Sequence, residues 1–397
     1  MKILLFTDDH LSDKRGAEKY FFALKNILKK NTDLQIFSFG FGDKKQYGND
    51  YIVLKETSSK FLKHFWRIFI NPIKYLQIRR IIKQFAPDVI HIHNIKKYTP
   101  TLLLALRGYP TVQTVHDFGL ICPTHWNVHQ DLQPCINRFS LKCAFKHRRH
   151  YHYISFFILL CQFYRTKFLL KKYVKQFIVP SPCMEYYFNL NGYKNVALLP
   201  HFKNPSDENV NTSIAMPNAI FLFLGPLEQQ KGVHILLDEF YQAFQKNNRI
   251  ILKIAGTGVE ESSLRKKVHA WGLENHVRFL GWVDQPDTLY KACTAVIFPS
   301  VGLEAFGLVI TEAMCHAKPV IGSDRGPTQW LVEDEKTGIL FNPLKPGDLA
   351  QAILRVAANP ALAQRLGKNG CEKLRQFPEE QQILDKIVGI YSQLAVD

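Results

Sequence analysis

The stretch Phe298-Pro-Ser-Val-Gly-Leu-Glu304-Ala-Phe-Gly307-Leu-Val-Ile-Thr-Glu312-Ala-Met-Cys-His-Ala-Lys-Pro319 organises the reading of this chain. Before it, Thr294 to Phe298 is an apolar run that reads as a strand; after Gly307 the spacing becomes helical. Glu304 falls in the turn and Glu312 on the helix, two turns along. Gly307 has no Cβ, so a ligand can press on the backbone there. The N–H groups of Ala305, Phe306, Gly307 and Leu308 would point at that ligand, with the positive end of the helix dipole behind them. Such a corner suits an anion. Glu312 suits a vicinal diol, because one carboxylate accepts from two hydroxyls. Phosphate with diol reads as a nucleotide. The other reading is an ordinary strand-to-helix turn with solvated glutamates.

Glu304-Ala-Phe-Gly-Leu-Val-Ile-Thr-Glu312 resembles the E-x7-E signature of retaining GT-B glycosyltransferases of family 4. The resemblance implies that Glu312 holds the ribose hydroxyls and that Glu304 lies beside the donor sugar. It also implies that the backbone from Ala305 to Leu308 binds sugar hydroxyls and diphosphate.

Outside that stretch, 397 residues are many for one core, so two domains are expected. The chain is 46% hydrophobic and 21% charged, as in globular proteins that are not membrane-embedded. The 51 Lys+Arg against 34 Asp+Glu leave +17, which favours a polyanionic partner: nucleic acid, anionic lipid or a phosphorylated substrate. No nucleic-acid motif is recognisable, which argues against the first. Eight cysteines in a chain this long are not a disulfide framework. The opening MKILLFTDDH lacks the apolar region of a signal peptide, so a reducing cytosol is expected. No apolar run approaches the roughly 20 residues that cross a bilayer. The best candidate is Ile154 to Cys161.

Short apolar runs alternate with helical periodicity at Lys2–Thr7, Leu34–Phe39, Tyr51–Leu54, Val89–His93, Thr111–Val115 and Phe177–Val179. They resume at Ala219–Leu224, Ile250–Ala255, Val277–Leu280, Ala295–Phe298, Val320–Gly322 and Gly338–Phe341. The pattern predicts an α/β chain of two Rossmann-like, doubly wound domains with parallel sheets, which the resemblance identifies as the GT-B architecture around a cleft. We divide it into an acceptor-side domain (1–200), a linker (201–218), a nucleotide-sugar domain (219–376) and a C-terminal helix (377–397), which the resemblance returns to the first domain.

In the first half, Lys14-Arg15-Gly16 opens a helix where the family shows two glycines; Gly16 is in place as a donor-binding residue and Arg15 stands for the other. Residues 59–85 and 139–175 are basic and aromatic-rich, a pattern that suits the interface of an anionic membrane; a domain core with solvated charges is the alternative. Thr114-Val-His116-Asp117 ends a strand, and the resemblance implies that the His-Asp pair, His116 above all, faces the donor sugar. Cys122, Cys135, Cys143 and His147 have the count of a Cys3His zinc site but lack its close CxxC pairs, and structural thiols are the preferred reading.

In the second half, Gly225-Pro-Leu-Glu-Gln-Gln-Lys231-Gly232 resembles the family's G-R-L-x3-K-G segment. Lys231 is in place to neutralise a diphosphate, whereas Pro226 occupies the arginine position. Arg15 is a candidate to replace that charge. Gly256-Thr-Gly258 ends a strand, and Trp282 and Val283 fall where the family reads the base through backbone groups. The resemblance implies a glycosyltransferase using a nucleotide-diphosphate sugar, with retention of configuration and an acceptor that is a lipid-linked cell-envelope glycan. No Asp-x-Asp occurs in the chain, so no divalent metal and no other cofactor are expected. A nucleotide-sugar epimerase or hydrolase of the same fold, or a nucleotide-binding module without turnover, are the alternatives. The expected location is cytoplasmic, peripheral on the inner face of the membrane.

Overall fold

The structure is a computed structural model that describes residues 1–9, 16–43, 45–95, 97–123, 127–128, 132–135, 153–201 and 218–396. It divides into two compact units. One comprises Met1–Asn127, Cys135–His201 and Glu379–Asp397; the other comprises Val128–Pro134 and Phe202–Pro378. The expected linker, 201–218, lies outside the described residues except at its two ends.

The first unit runs β1 (Lys2–Asp9), α1 (Gly16–Lys30), β2 (Gln35–Gly42), β3 (Gln46–Gly48), β4 (Tyr51–Lys55), α2 (Lys60–Ile68), α3 (Pro72–Phe85), β5 (Val89–Ile92), α4 (Thr99–Ala105) and β6 (Thr111–Thr114). It continues with α5 (Tyr153–Tyr173), β7 (Gln176–Val179), α6 (Pro182–Leu190) and β8 (Val196–Leu198). Its sheet has the order β3-β4-β2-β1-β5-β6-β7-β8. Every pairing is parallel except β3 with β4, a short antiparallel edge that the sequence reading missed. Three residues with no apolar alternation carry no strand signal. β8 was missed for the same lack of length. α3 opens on a capped start: the Asn71 side chain accepts from Lys74 N at 2.9 Å, with Pro72 at the first helical position.

The second unit runs β9 (Ala219–Leu224), α7 (Val233–Lys246), β10 (Ile250–Ala255), α8 (Glu261–Ala270), β11 (Val277–Gly281), α9 (Asp287–Ala292), β12 (Ala295–Phe298) and α10 (Leu308–Cys315). It ends β13 (Val320–Ser323), α11 (Thr328–Leu331), β14 (Gly338–Phe341), α12 (Asp348–Ala358) and α13 (Pro360–Leu374). Its six strands are all parallel, in the order β11-β10-β9-β12-β13-β14. Alternation decides which face each residue covers. Phe221, Phe223, Ala295 and Ile297 enter one core, whereas Ile220, Leu222, Val296 and Phe298 enter the other. The strand order reverses at β9, between β10 and β12. The helices that follow β9 and β12, α7 and α10, therefore pack on opposite faces of the sheet, and a ligand site is expected at these strand ends.

The final helix, α14 (Glu380–Val396), packs in the first unit. Tyr391 is fully buried there, and its hydroxyl lies 2.5 Å from His91 Nδ1.

Candidate functional site

In the second unit, three loops converge at the strand-order reversal. The loop after β9 turns at Gly232 with φ 68°, and a Cβ there would sit 2.0 Å from Pro299 O, in the loop after β12. Only glycine allows that approach. The two loops are then laced together, because Gln230 O accepts from Val301 N at 2.9 Å and Gly302 N at 3.1 Å. This lacing sets Lys231 beside Glu304: Lys231 Nζ donates to Glu304 Oε1 at 2.6 Å, and Ser300 Oγ donates to the same oxygen at 2.8 Å. Ser300 in turn is held through its carbonyl by Ser323 Oγ at 2.7 Å.

Gly307 has φ 101° and precedes α10 as its N-cap residue, so the expected helix start is where the sequence put it. Glu312 is the fifth residue of that helix, in its second turn. The buried Tyr290 hydroxyl donates to Glu312 Oε2 at 2.6 Å. Burial, and then the Glu312 carboxylate, push the Tyr290 phenol well above its usual value, so it stays a donor. Tyr290 is itself stacked on His316 at 5.2 Å, and His316 Nε2 lies 3.2 Å from Asp287 Oδ1. The Phe306 side chain is buried in the core, and Ala305 and Leu308 are half-buried, so the groups this corner offers a ligand are backbone ones.

The third loop follows β10. Gly256 has φ 144°, and a Cβ there would lie 1.9 Å from Gly225 O; a Cβ on Gly258 would meet Leu227 O at 2.3 Å. Both glycines of the GxG are thus required by the close approach of the β9 loop. Gly256 N donates to Gly281 O at 2.7 Å, which brings the end of β11 alongside. Trp282 follows, 43% exposed, its indole N–H donating to Asp284 Oδ1 at 2.5 Å; Val283 is half-buried.

In the first unit, His116 follows β6 and His93 follows β5. His93 Nδ1 lies 3.0 Å from His116 Nε2. His91, His93, His116 and His201 form a stack, with successive ring centroids 4.5, 5.3 and 5.8 Å apart. Tyr20 packs on His201 at 4.1 Å. Burial pushes His91 down to about 3, and burial with neighbouring imidazoles holds His93 and His201 well below the usual histidine range. These rings are therefore neutral at pH 7. Asp117 accepts from Gly119 N at 2.8 Å and caps the short turn that follows. A cavity of about 160 Å³ opens beside His116, and Arg67, His93, Gln113, Asp117 and Lys167 are among its lining residues.

Gly16 is the exposed first residue of α1. Arg15, Cys143 and His147 lie outside the described residues; Cys122 and Cys135 are buried. Sequence reasoning missed Ser300, Tyr290 and His93. The alternation His91-Ile92-His93 could have marked a shared face, whereas nothing local to Tyr290 announces its partner 22 residues on.

The comparisons with known proteins cover both units. Residues 206–373 match the family model described as "Glycosyl transferases group 1", and residues 14–202 match that described as "Glycosyltransferase Family 4". The chain is 35% identical over 161 residues to the D-rhamnosyltransferase WbpZ of Pseudomonas aeruginosa, covering 40% of this chain and 41% of that protein. It is 30% identical over 178 residues to the O-antigen chain mannosyltransferase C of Escherichia coli, covering 44% and 46%. The chain spans about half the length of the curated relatives it matches. In fold it is similar to the sucrose-phosphate synthase of Thermosynechococcus elongatus, with a TM-score of 0.74 at 21% identity, covering 99% of this chain and 98% of that one. A second similar structure is Anabaena Alr3699/HepE in complex with UDP and glucose, with a TM-score of 0.73 at 20% identity and 99% of each chain covered. At these identities the likeness is one of fold, and that fold is the GT-B pair of Rossmann-like domains.

Proposed function

We infer that this chain, whose two halves match glycosyltransferase family models, is itself a glycosyltransferase that takes its sugar from a nucleotide-diphosphate donor. The observation that carries the reading is the corner formed by Gly307, Glu312, Lys231 and Glu304. It combines backbone N–H groups at a helix start, a carboxylate suited to a diol, and a cation suited to phosphate. Glu304 would lie beside the donor sugar, and Gly256, Trp282 and Val283 would border the base. Lys231 is bonded to Glu304, and a diphosphate would compete for that cation. Gly16 and His116, which the resemblance puts towards the donor, belong to the first unit, the one we assign to the acceptor side.

The transfer retains configuration, on the likeness of Glu304 to Glu312 to the family signature. The leaving diphosphate is stabilised by Lys231 and backbone N–H groups rather than by a divalent metal, since the chain has no Asp-x-Asp. The acceptor is a lipid-linked glycan met at the inner face of the cell membrane.

Support for the last point comes from the first unit's outer helices. Ile73 and Leu76 on α3 are 67% and 66% exposed, and Phe157 and Phe168 on α5 are 68% and 64% exposed. Lys74 and Arg80 lie on α3, and Lys172 lies on α5. Among the described residues no helix is long and apolar enough to cross a membrane. An apolar face with cations among it suits insertion to the depth of lipid head groups.

The test is a thermal-shift screen of UDP-, GDP- and dTDP-sugars, followed by product analysis with and without lipid-linked acceptors. A stabilising sugar nucleotide and an acceptor-dependent product with the donor's anomeric configuration are expected. Turnover without acceptor would favour an epimerase or hydrolase, and binding without turnover a nucleotide-binding module.

A further inference from the structure

Two residues that line the cavity beside His116 each carry a buried polar atom that no described residue satisfies: His93 Nε2 and Gln113 Oε1. Both side chains are 2% exposed. A buried polar atom left without a partner costs free energy, so two of them on residues of one cavity wall point to a ligand that supplies the missing bonds. The rest of the wall mixes apolar side chains, Ile95, Val115, Leu120, Leu159 and Phe163, with polar ones such as Thr99, Asp117, Gln162 and Lys167. That mixture fits a sugar ring, which offers hydroxyls at its edge and C–H faces to apolar side chains.

The chemistry of the two atoms narrows the ligand. Gln113 Oε1 only accepts, so the atom opposite it must donate. A hydroxyl donates to Gln113 and can accept from His93 Nε2–H. A neutral imidazole carries one proton, so His93 Nδ1 is then the acceptor of the 3.0 Å bond to His116, which must give its Nε2–H. If His116 is neutral too, its Nδ1 is then the unprotonated nitrogen. The occupant of the cavity would therefore select the tautomer of a ring it need not touch.

We propose that this cavity is a subsite for a hexopyranose of the acceptor, read by His93 and Gln113, and that His93 is a positioning residue that sets the tautomer of His116 when the subsite fills. The proposal rests on the transferase reading for the word acceptor, but not for the binding itself.

The test uses the full chain with methyl glucoside, methyl galactoside and methyl mannoside as probes. Affinity is read by ligand-observed NMR, and the His116 ring state by ¹⁵N-histidine NMR. Asn at position 93 places an amide where Nδ1 was and nothing where Nε2 was. Gln113→Leu and His93→Asn should each lower affinity for the bound glycoside at least tenfold, while UDP and GDP binding and the melting temperature stay near wild type. Glycoside should move the His116 ring nitrogens in the wild type and leave them in place in His93→Asn. The proposal is overturned if no methyl hexopyranoside binds, if both variants bind it as the wild type does, or if His116 does not respond. Failure of every nucleotide to bind would instead sink the transferase reading and leave the cavity result standing.

Discussion

Lys231 Nζ lies 2.6 Å from Glu304 Oε1, although 73 residues separate the two in sequence. The residue expected to hold diphosphate and the residue expected beside the donor sugar are thus bonded to each other. Lys231→Met should lower affinity for the sugar nucleotide by about 1.5–3 kcal/mol, the range for a hydrogen bond to a charged group. Glu304→Gln should reduce turnover more than it reduces nucleotide affinity. Calorimetry on both variants checks this; an unchanged dissociation constant in Lys231→Met would remove Lys231 from the site.

Tyr290 fixes one oxygen of Glu312 and should hold the carboxylate ready for a diol. Tyr290→Phe is expected to weaken nucleotide binding by about 0.5–1.5 kcal/mol, and Glu312→Ala by about 1.5–3 kcal/mol. Because the hydroxyl acts through the carboxylate, the double variant should lose little more than Glu312→Ala alone. Additive losses in a double-mutant cycle would show that Tyr290 acts otherwise.

Gly256→Ala would force a Cβ to 1.9 Å from Gly225 O at a φ of 144°. The backbone of two loops must move, at a cost on the order of 1–3 kcal/mol for the strained conformation alone. The expected result is a lower unfolding midpoint in urea together with weaker donor binding. A wild-type midpoint would mean that the β9 and β10 loops yield easily.

The histidine stack predicts acid sensitivity. His91, His93 and His201 have folded-state values below the ordinary histidine value of about 6.5, so the unfolded chain binds more protons below that pH. Stability should therefore be full above about pH 6.5 and fall as the pH drops through it towards 3. Each ring contributes a slope of up to about 1.4 kcal/mol per pH unit. Urea titrations at pH 7.5, 6.5 and 5.5 should show a shallower fall in His91→Asn than in the wild type. Parallel falls would mean that the ring is protonated in the folded state.

If the outer helices of the first unit meet anionic lipid, binding to vesicles containing phosphatidylglycerol should weaken as salt rises, since screening acts over about 10 Å at 0.1 M. Ile73→Asp with Leu76→Asp should weaken it further without changing nucleotide affinity. Co-sedimentation that is indifferent to both changes would return α3 and α5 to the role of a domain surface.

What the sequence determined by itself was everything whose signal is local. Strand runs such as Ala219–Leu224 and Ala295–Phe298, and the helix start at Gly307, are recorded in residues a few positions apart. So are the spacing from Glu304 to Glu312 and the alternation of each strand between two cores. The tertiary structure alone decided what meets across a long separation. The reversal of strand order at β9 brings Lys231 to Glu304 and Ser300; helix packing brings Tyr290 to Glu312; and the parallel pairing of β5 with β6 sets His93 against His116. The physical reason is that the period of a strand or helix is written into neighbouring side chains, whereas a contact between loops depends on topology and packing.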